Sequence, residues 1–253
     1  MVAKKEAEEE GEGCELSMKI TFLEKNQNEI KFLVDGVDDV FMNSIRRTSM
    51  VGVPVMAIED VEFTKNSSVL YDEIVAHRLG LIPIKTDLKA YNLPEECKCK
   101  GKGCSVCQVK FTLKAKGPTT VYSGDLKSKD KEIVPVYDKI PIAKLREGQE
   151  IELVATAVLG FGSEHTKWAT GTMSYYNYPK YNKVKEPQNE KEILKYLEKI
   201  KELEAKENID TEYVEDKFVV DFETWGQLNH REIILTAISR ISDRLKEFNK
   251  KIK

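Results

Sequence analysis

The last part of the chain carries a stripe of large apolar residues with nearly constant spacing. Its members follow one another by 4, 3, 4, 3 and 4 positions and are Ile234, Ile238, Ile241, Leu245, Phe248 and Ile252. A period of about 3.5 residues is typical of a helix whose apolar seam packs against another helix. Asn229 followed by Glu232 fits a capping box that begins this helix. The seam packs either on the chain's own sheet or on a helix of a partner chain, and its regularity favours the partner.

A second amphipathic helix is predicted over residues 37–50, the segment VDDVFMNSIRRTSM. Phe41 and Ile45 lie four residues apart, as on one face of an α-helix. Asp38 is suited to the N-cap, because its carboxylate can accept hydrogen bonds from the free amides of the first turn. The segment therefore indicates a helix with one apolar face near the start of the chain.

Arg46 and Arg47 are adjacent near the end of this helix. Neighbouring residues on a helix diverge by about 100°, so the two guanidinium groups cannot point at one target. They are either solvated residues or contacts to carboxylates or phosphates of another macromolecule.

The rest of the chain is mostly β-prone, and the fold class is predicted to be α+β. Residues 14–34 read as a hairpin of two alternating strands. Further strands are predicted at 55–63, 109–115, 119–122, 133–136, 149–159, 166–176 and 213–222, and shorter helices at 71–78 and 189–206. Residues 54–162 form one mostly β module in this prediction.

Four of the five cysteines lie within eleven residues, with the spacing C-x-C-x4-C-x2-C; they are Cys97, Cys99, Cys104 and Cys107. Four thiolates this close can surround one tetrahedral ion, and a closed shell indicates a structural zinc site. An iron–sulfur cluster also takes four cysteines, but the C-x2-C-x2-C run of a ferredoxin is missing, so zinc is favoured. Unliganded thiols are the remaining alternative. Cys14 stands apart and is expected to be an ordinary buried residue.

Several classes of function are disfavoured by the sequence. The net charge of −3 argues against a chain that grips DNA or RNA alone. His77, His165 and His230 are scattered, and no H-E-x-x-H, nucleophile elbow, Walker A loop or dinucleotide-binding glycine pattern occurs, so no catalytic residue is predicted. No run approaches the roughly 20 apolar residues of a membrane span. Residues 1–13 are predicted to be a disordered acidic tail without a signal core. A soluble, cytoplasmic protein is expected.

Three segments together resemble a known family. FMNSIRRTSMVGVPVMAIEDVEF at 41–63 and YDEIVAHRLGLIPI at 71–84 look like the assembly motif of the D subunits of archaeal DNA-directed RNA polymerase. WGQLNHREIILTAISRISDRLKEF at 225–248 is similar to the closing helix of that family. The family is in turn similar to the third-largest subunit of eukaryotic polymerases and to the N-terminal domain of bacterial alpha. In their order, the matches span nearly the whole chain.

The resemblance implies a discontinuous dimerisation domain of antiparallel sheet and helices. Its halves would be residues 14–53 and 163–253, interrupted by an insertion domain at 54–162 that holds the four cysteines in a zinc loop at 97–107. Some archaeal D subunits carry a ferredoxin-like domain with iron–sulfur clusters in the second half. Residues 180–212 contain no cysteine, so that cluster is not expected here.

The resemblance also implies a non-catalytic assembly subunit of the transcription machinery. It would form a heterodimer with the small L subunit, supported by the N and P subunits, as the platform for the two large catalytic subunits, and would meet DNA and RNA only through the complex. The implied interface residues are Phe41, Ile45, Arg46, Arg47, Ile234, Ile238, Ile241, Leu245 and Phe248. The alternatives are a zinc-containing nucleic-acid-binding regulator, which would show salt-dependent DNA affinity, and a small redox or metalloenzyme that uses the four-cysteine site.

Overall fold

The computed structural model of this chain describes residues 18–187, 189–206 and 211–252. The predicted acidic tail at 1–13 and Cys14 lie outside the described residues. The strands are β1 (Lys19–Lys25), β2 (Glu29–Asp35), β3 (Val55–Asn66), β4 (Gln108–Lys116), β5 (Thr119–Tyr122), β6 (Lys127–Ser128), β7 (Pro141–Leu145), β8 (Glu150–Gly160), β9 (Gly171–Lys180) and β10 (Glu212–Thr224). The helices are α1 (Asp39–Val51), α2 (Asp72–Gly80), α3 (Glu190–Lys206) and α4 (His230–Ile252).

One four-stranded antiparallel sheet joins distant parts of the sequence, in the strand order β1-β2-β10-β9. Strand β2 pairs with β1 in the predicted hairpin and with β10 on its other side. Successive side chains of a strand point to opposite faces of a sheet. Phe32 and Phe218 accordingly belong to a core shared with α1 and α4, whereas Leu33 and Val219 belong to a second core shared with α3. The sheet is therefore covered by helices on both faces.

Helix α1 is fixed to strand β9 and the turn before it. At its start the Asp38 side chain accepts a hydrogen bond from the Phe41 amide at 2.7 Å, and the Tyr175 hydroxyl donates to Asp39 at 2.7 Å. At its end the Thr170 hydroxyl donates to the Ser49 carbonyl at 2.6 Å. These contacts hold the helix in one orientation across the sheet, where it packs against α4.

A second antiparallel sheet, in the order β3-β8-β4-β6, and a two-stranded sheet of β5 and β7 form the middle of the chain. Their apolar side chains share one core with Val75 and Leu79 of α2. The two main cores meet along the start of β3: Val55 and Ala57 belong to the core under α1, and Met56 and Ile58 belong to the core of the second sheet. Strand β3 is thus the physical joint of the molecule.

Two strand predictions are wrong in detail. Residues 133–136 do not form a strand but a single bridge between Ile84 and Pro135, because proline has no amide hydrogen with which to extend a ladder. The strand predicted from Thr166 begins only at Gly171. Its first residues instead form a short 3-10 turn, in which His165 Nδ1 accepts a hydrogen bond from the Lys167 amide at 3.1 Å.

In the described parts of the chain, no helix combines the length and the apolar character that crossing a bilayer requires.

Candidate subunit interface and metal centre

An apolar groove of about 610 Å³ opens between β1, β2, α1 and α4, and is called here the interface groove. Its wall on β1 is formed by Met18, Ile20 and Phe22, which are 47%, 48% and 60% exposed. Phe41 and Ile45 form the wall on α1. Strand β1 is an edge strand, and its Ile20 and Phe22 lie beside Val34 and Phe32 on the face of the sheet that carries α1 and α4. At this edge the two helices leave the β1 side chains exposed.

The seam of α4 is mostly exposed. The residues of α4 that are buried in the chain's own core are Ile233 and Ala237, on a neighbouring face of the helix. Ile234 is half-buried and borders the interface groove, whereas Leu245 and Phe248 are 63% and 64% exposed. Ile241 is half-buried as well, beside α1, so packing within the described chain covers the first and third members of the seam and leaves the others exposed.

The far half of the seam borders a different concavity, a cleft of about 590 Å³ on the other side of α1, called here the arginine cleft. A period of 3.5 drifts by about 20° per heptad around a straight helix, so the later seam residues turn away from the first ones. The cleft is lined by Asn43, Ser44, Arg47, Thr48, Val51, Gly52, Ser163, Ile241, Arg244, Leu245 and Phe248.

Arg46 and Arg47 diverge, as helical geometry predicts. Arg46 is half-buried, donates to Asn43 Oδ1 at 3.0 Å and lies 3.7 Å from the sulfur of Met50. Arg47 is exposed and lines the arginine cleft. Of the two, Arg47 is therefore the one available to another molecule.

The four cysteine sulfurs converge on one point, all within 4.8 Å of one another. The Cys97–Cys104 and Cys99–Cys107 sulfur distances are both 3.5 Å, and the Cys104–Cys107 distance is 3.6 Å. A disulfide requires about 2.05 Å, so the sulfurs are not bonded to one another. A single tetrahedral ion with metal–sulfur bonds of about 2.3 Å would hold its four ligands about 3.8 Å apart. The arrangement therefore fits one ion and is too tight for a cluster of several metals.

Two tight turns bring the cysteine pairs together. The Lys100 amide donates to the Cys97 carbonyl at 2.9 Å, and the Cys107 amide donates to the Cys104 carbonyl at 3.1 Å. Gly103 has a φ of 86°, in the left-handed region that favours glycine, which allows the chain to turn between the two cysteine pairs. The second pair runs directly into β4 at Gln108, which anchors the loop to the second sheet.

The thiols at the centre differ in acidity. A hydrogen bond from the Cys107 thiol lowers the pKa of Cys99 to about 6, whereas burial raises the pKa of Cys107 to about 12. Because a metal binds thiolates, its binding must release the protons that the buried thiols retain. The site is therefore expected to load metal better at neutral pH than in acid.

The three histidines lie in separate places. His77 is exposed on α2, and His165 caps the short turn before β9. His230 is buried at the start of α4, edge-on to the Phe222 ring at 5.3 Å.

Comparison with known proteins assigns the chain to a family. Residues 58–174 match the family model of the RNA polymerase Rpb3/RpoA insert domain. The chain is 36% identical over 259 residues to the DNA-directed RNA polymerase subunit Rpo3 of Methanothermobacter thermautotrophicus, and the alignment covers 91% of this chain and 97% of that protein. The chain belongs to the Rpo3 family.

Two further Rpo3 relatives agree with this assignment. The protein from Thermococcus kodakarensis is 37% identical over 255 residues, which cover 90% of this chain and 96% of that protein. The protein from Methanosphaera stadtmanae is 53% identical over 169 residues, and this alignment spans 64% of this chain and 62% of that protein. The zinc-containing regulator is not supported as the function of an Rpo3 family member.

Sequence reasoning missed several residues that border the two concavities. The interface groove is also lined by Leu235 of α4 and by the apolar side chains of β1. The arginine cleft is also lined by Ser163 and Arg244. The alternation of residues in β1 predicts one apolar face. Only the strand order shows that β1 lies at the edge of the sheet, where this face remains exposed. The positions of Ser163 and Arg244 have no sequence signal, because both depend on tertiary packing. Helix α4 packs against α1, and the Ser163 amide donates a hydrogen bond to the Val51 carbonyl at 3.3 Å.

Proposed function

We propose that this Rpo3 chain is a non-catalytic assembly subunit of DNA-directed RNA polymerase, which joins a small partner subunit through the interface groove. The observation that carries this proposal is the groove itself. A contiguous apolar surface built from a strand and two helices is unfavourable in water and marks a site of association. Membership of the Rpo3 family makes another polymerase subunit the natural partner.

The partner in this proposal is the small L subunit, as the sequence resemblance implies. The N and P subunits would support the heterodimer, the two large subunits would carry out nucleotidyl transfer on this platform, and DNA and RNA would be met only through the complex in the cytoplasm. Rpo3 proteins and the archaeal D subunits would be one family, related to the third-largest eukaryotic subunit and to bacterial alpha.

We further propose a division of the chain into two functional parts. Residues 14–53 and 163–253 would form the dimerisation domain, and residues 54–162 would form the insertion domain. The joint sheet of β1, β2, β9 and β10 supports the first assignment, because strands from both segments pair directly. The separate hydrophobic core of the second sheet supports the assignment of the insertion domain.

In the insertion domain we assign a structural zinc ion to Cys97, Cys99, Cys104 and Cys107. The sulfur distances support a single ion in a closed four-thiolate shell, which leaves no position for a substrate. Zinc would contribute by cross-linking the two turns of the loop. The remaining alternatives are a single iron ion in the same shell and unliganded thiols.

The proposal is tested by co-expression with the small subunit from the same genome. Ile20→Asp and Phe41→Asp each place a charge in the apolar groove, which is costly because an ion loses its hydration there. Each variant is expected to retain at least about tenfold less of the small subunit than the unmodified chain does.

Val69→Asp is the matched control, because Val69 is 70% exposed on the other module and lies outside the groove. It should retain the small subunit like the unmodified chain. Undiminished co-elution of the Ile20→Asp and Phe41→Asp variants would contradict the assignment of the interface.

A further inference from the structure

The four cysteine sulfurs of the loop divide into two equally spaced pairs. The sulfurs of Cys97 and Cys104 lie 3.5 Å apart, and those of Cys99 and Cys107 are separated by the same distance. A disulfide bond is about 2.05 Å long, so the two sulfurs of each pair need to approach by roughly 1.5 Å to become bonded. This division uses all four cysteines of the site.

Both pairs connect the two turns of the loop. Cys97 and Cys99 belong to the first turn, and Cys104 and Cys107 belong to the second. The other short separation, 3.6 Å between Cys104 and Cys107, lies within one turn and would leave the turns unlinked. A disulfide stabilises more when it closes a longer segment of chain. Bonds between the turns can therefore hold the loop together in place of a metal ion.

Each pair combines a partly exposed thiol with a buried one. Cys104 and Cys99 are partly exposed, whereas their partners Cys97 and Cys107 are buried. A small oxidant in water can reach the exposed sulfur, and the buried sulfur lies next to it. An accessible thiol beside a second, resolving thiol is the arrangement found in cysteines that are oxidised reversibly.

We propose that the four-cysteine loop is a reversible thiol switch, in which a peroxide converts the metal-binding thiolates into the disulfides Cys97–Cys104 and Cys99–Cys107 and frees the ion. The inference rests on the metal site of the proposed function and goes beyond it. A purely structural ion predicts no defined oxidised form of its ligands, whereas the switch predicts one particular pairing.

Each disulfide forms in two steps that balance. The thiolate of the exposed cysteine attacks one oxygen of hydrogen peroxide, which breaks the O–O bond, forms a sulfenic acid and releases hydroxide. The thiolate of the buried partner attacks the sulfenic sulfur and expels a second hydroxide as the S–S bond forms. Two electrons pass from the two thiolates to one peroxide, and protons from the solvent convert both hydroxides to water. The ion then leaves, because it is bound by thiolates and none remains.

Peroxide treatment of the purified full-length chain tests the proposal. Zinc bound to the chain, measured by elemental analysis after gel filtration, should fall from about one ion per chain to nearly none. Trypsin cleaves after Lys98, between the first two cysteines, and tandem mass spectrometry of the linked peptides should assign the bonds Cys97–Cys104 and Cys99–Cys107. A dithiol reductant with added zinc should restore about one ion per chain.

Two double variants provide a matched comparison of the pairs. Cys97→Ser with Cys104→Ser keeps the predicted pair Cys99 and Cys107, whereas Cys97→Ser with Cys107→Ser keeps the mismatched pair Cys99 and Cys104. Both variants lose one ligand from each turn, so both lose the closed metal shell. Peroxide should form a disulfide in the mismatched variant at least about tenfold more slowly, because its sulfurs are less well placed. Far-UV circular dichroism verifies that both variants fold.

Several results would overturn the switch. They are a different pairing in the unmodified chain, sulfinic or sulfonic acids in place of disulfides, thiols that remain unchanged in excess peroxide, and equal rates in the two double variants. A chain that is purified without zinc would contradict the assignment of the metal alone. The disulfide pattern after oxidation would still decide the switch, so the two failures are distinguishable.

Discussion

At the scale of single residues, function depends on a few side chains whose positions the sequence only partly predicts. The cysteine spacing predicts one tetrahedral site, and the sulfur distances agree with it. Arg47 and Arg244 lie nearly two hundred positions apart and become neighbours only because α1 packs on α4. Local spacing predicts local sites, whereas a site shared by distant helices depends on tertiary packing.

In the proposed heterodimer, replacing one cysteine should remove the metal ion and leave the two subunits associated. Cys104→Ser leaves three thiolates and is expected to lower bound zinc from about one ion per chain to nearly none, because the shell is no longer closed. Elemental analysis of the purified heterodimer measures this directly. Cys14→Ser, outside the four-cysteine segment, is the control and should keep the zinc. Full zinc content in the Cys104→Ser variant would contradict the assignment of its ligands.

The buried histidine gives the fold a pH dependence. Burial lowers the pKa of His230 below its ordinary value of 6.5, so the neutral ring is favoured in the folded state. The contribution of His230 to the free energy of unfolding is therefore fully present above pH about 6.5. It is lost as the pH falls through the lower pKa of the folded state. Between pH 7.5 and 5.5, the melting temperature of His230→Gln should fall less steeply than that of the unmodified chain. His77→Gln, at an exposed histidine, should leave the slope unchanged, and an unchanged slope in His230→Gln would contradict this account.

At the scale of elements, the helices are the most predictable part of the chain and the pairing of the strands the least. The periodicity of α1, α3 and α4 predicts each of them, and Asn229 and Glu232 bond to each other's backbone amides as a capping box requires. The sequence does not indicate which sheet face α3 covers. In the structure Tyr196, Leu197 and Ile200 pack on the face opposite α1 and α4. Helix α3 thus protects the second face of the sheet.

Shortening a side chain under α3 should destabilise the chain but spare the interface. Ile200 is fully buried, and Ile200→Ala is expected to lower the free energy of unfolding by about 2–5 kcal/mol through a lost apolar contact and a cavity. Chemical denaturation of the heterodimer measures the change. Lys199→Ala, on the exposed side of the same helix, should cost less than about 0.5 kcal/mol. A loss of small-subunit binding in Ile200→Ala would show instead that α3 shapes the groove.

At the scale of the whole molecule, two cores meet along β3, and the open apolar surface lies on one of them. The fold class, the hairpin, most strands and the four-cysteine site follow from local patterns. The strand order does not, because the pairing of β2 with β10 joins residues far apart in sequence and leaves β1 at the edge of the sheet. The interface groove and the four-cysteine site share no residue. Binding in the groove and metal binding are therefore expected to be independent of each other.

Hydrogen exchange of the chain, alone and with the small subunit, tests the central proposal most directly. If the small subunit binds in the interface groove, amides in β1, α1 and the first half of α4 should exchange more slowly in the complex. The partner would cover the edge amides of β1 and stabilise both helices. The amides of the second sheet, which includes β4, and of the four-cysteine loop should exchange at the same rate in both states. Protection confined to the insertion sheet, or no protection in β1 and α1, would contradict the account.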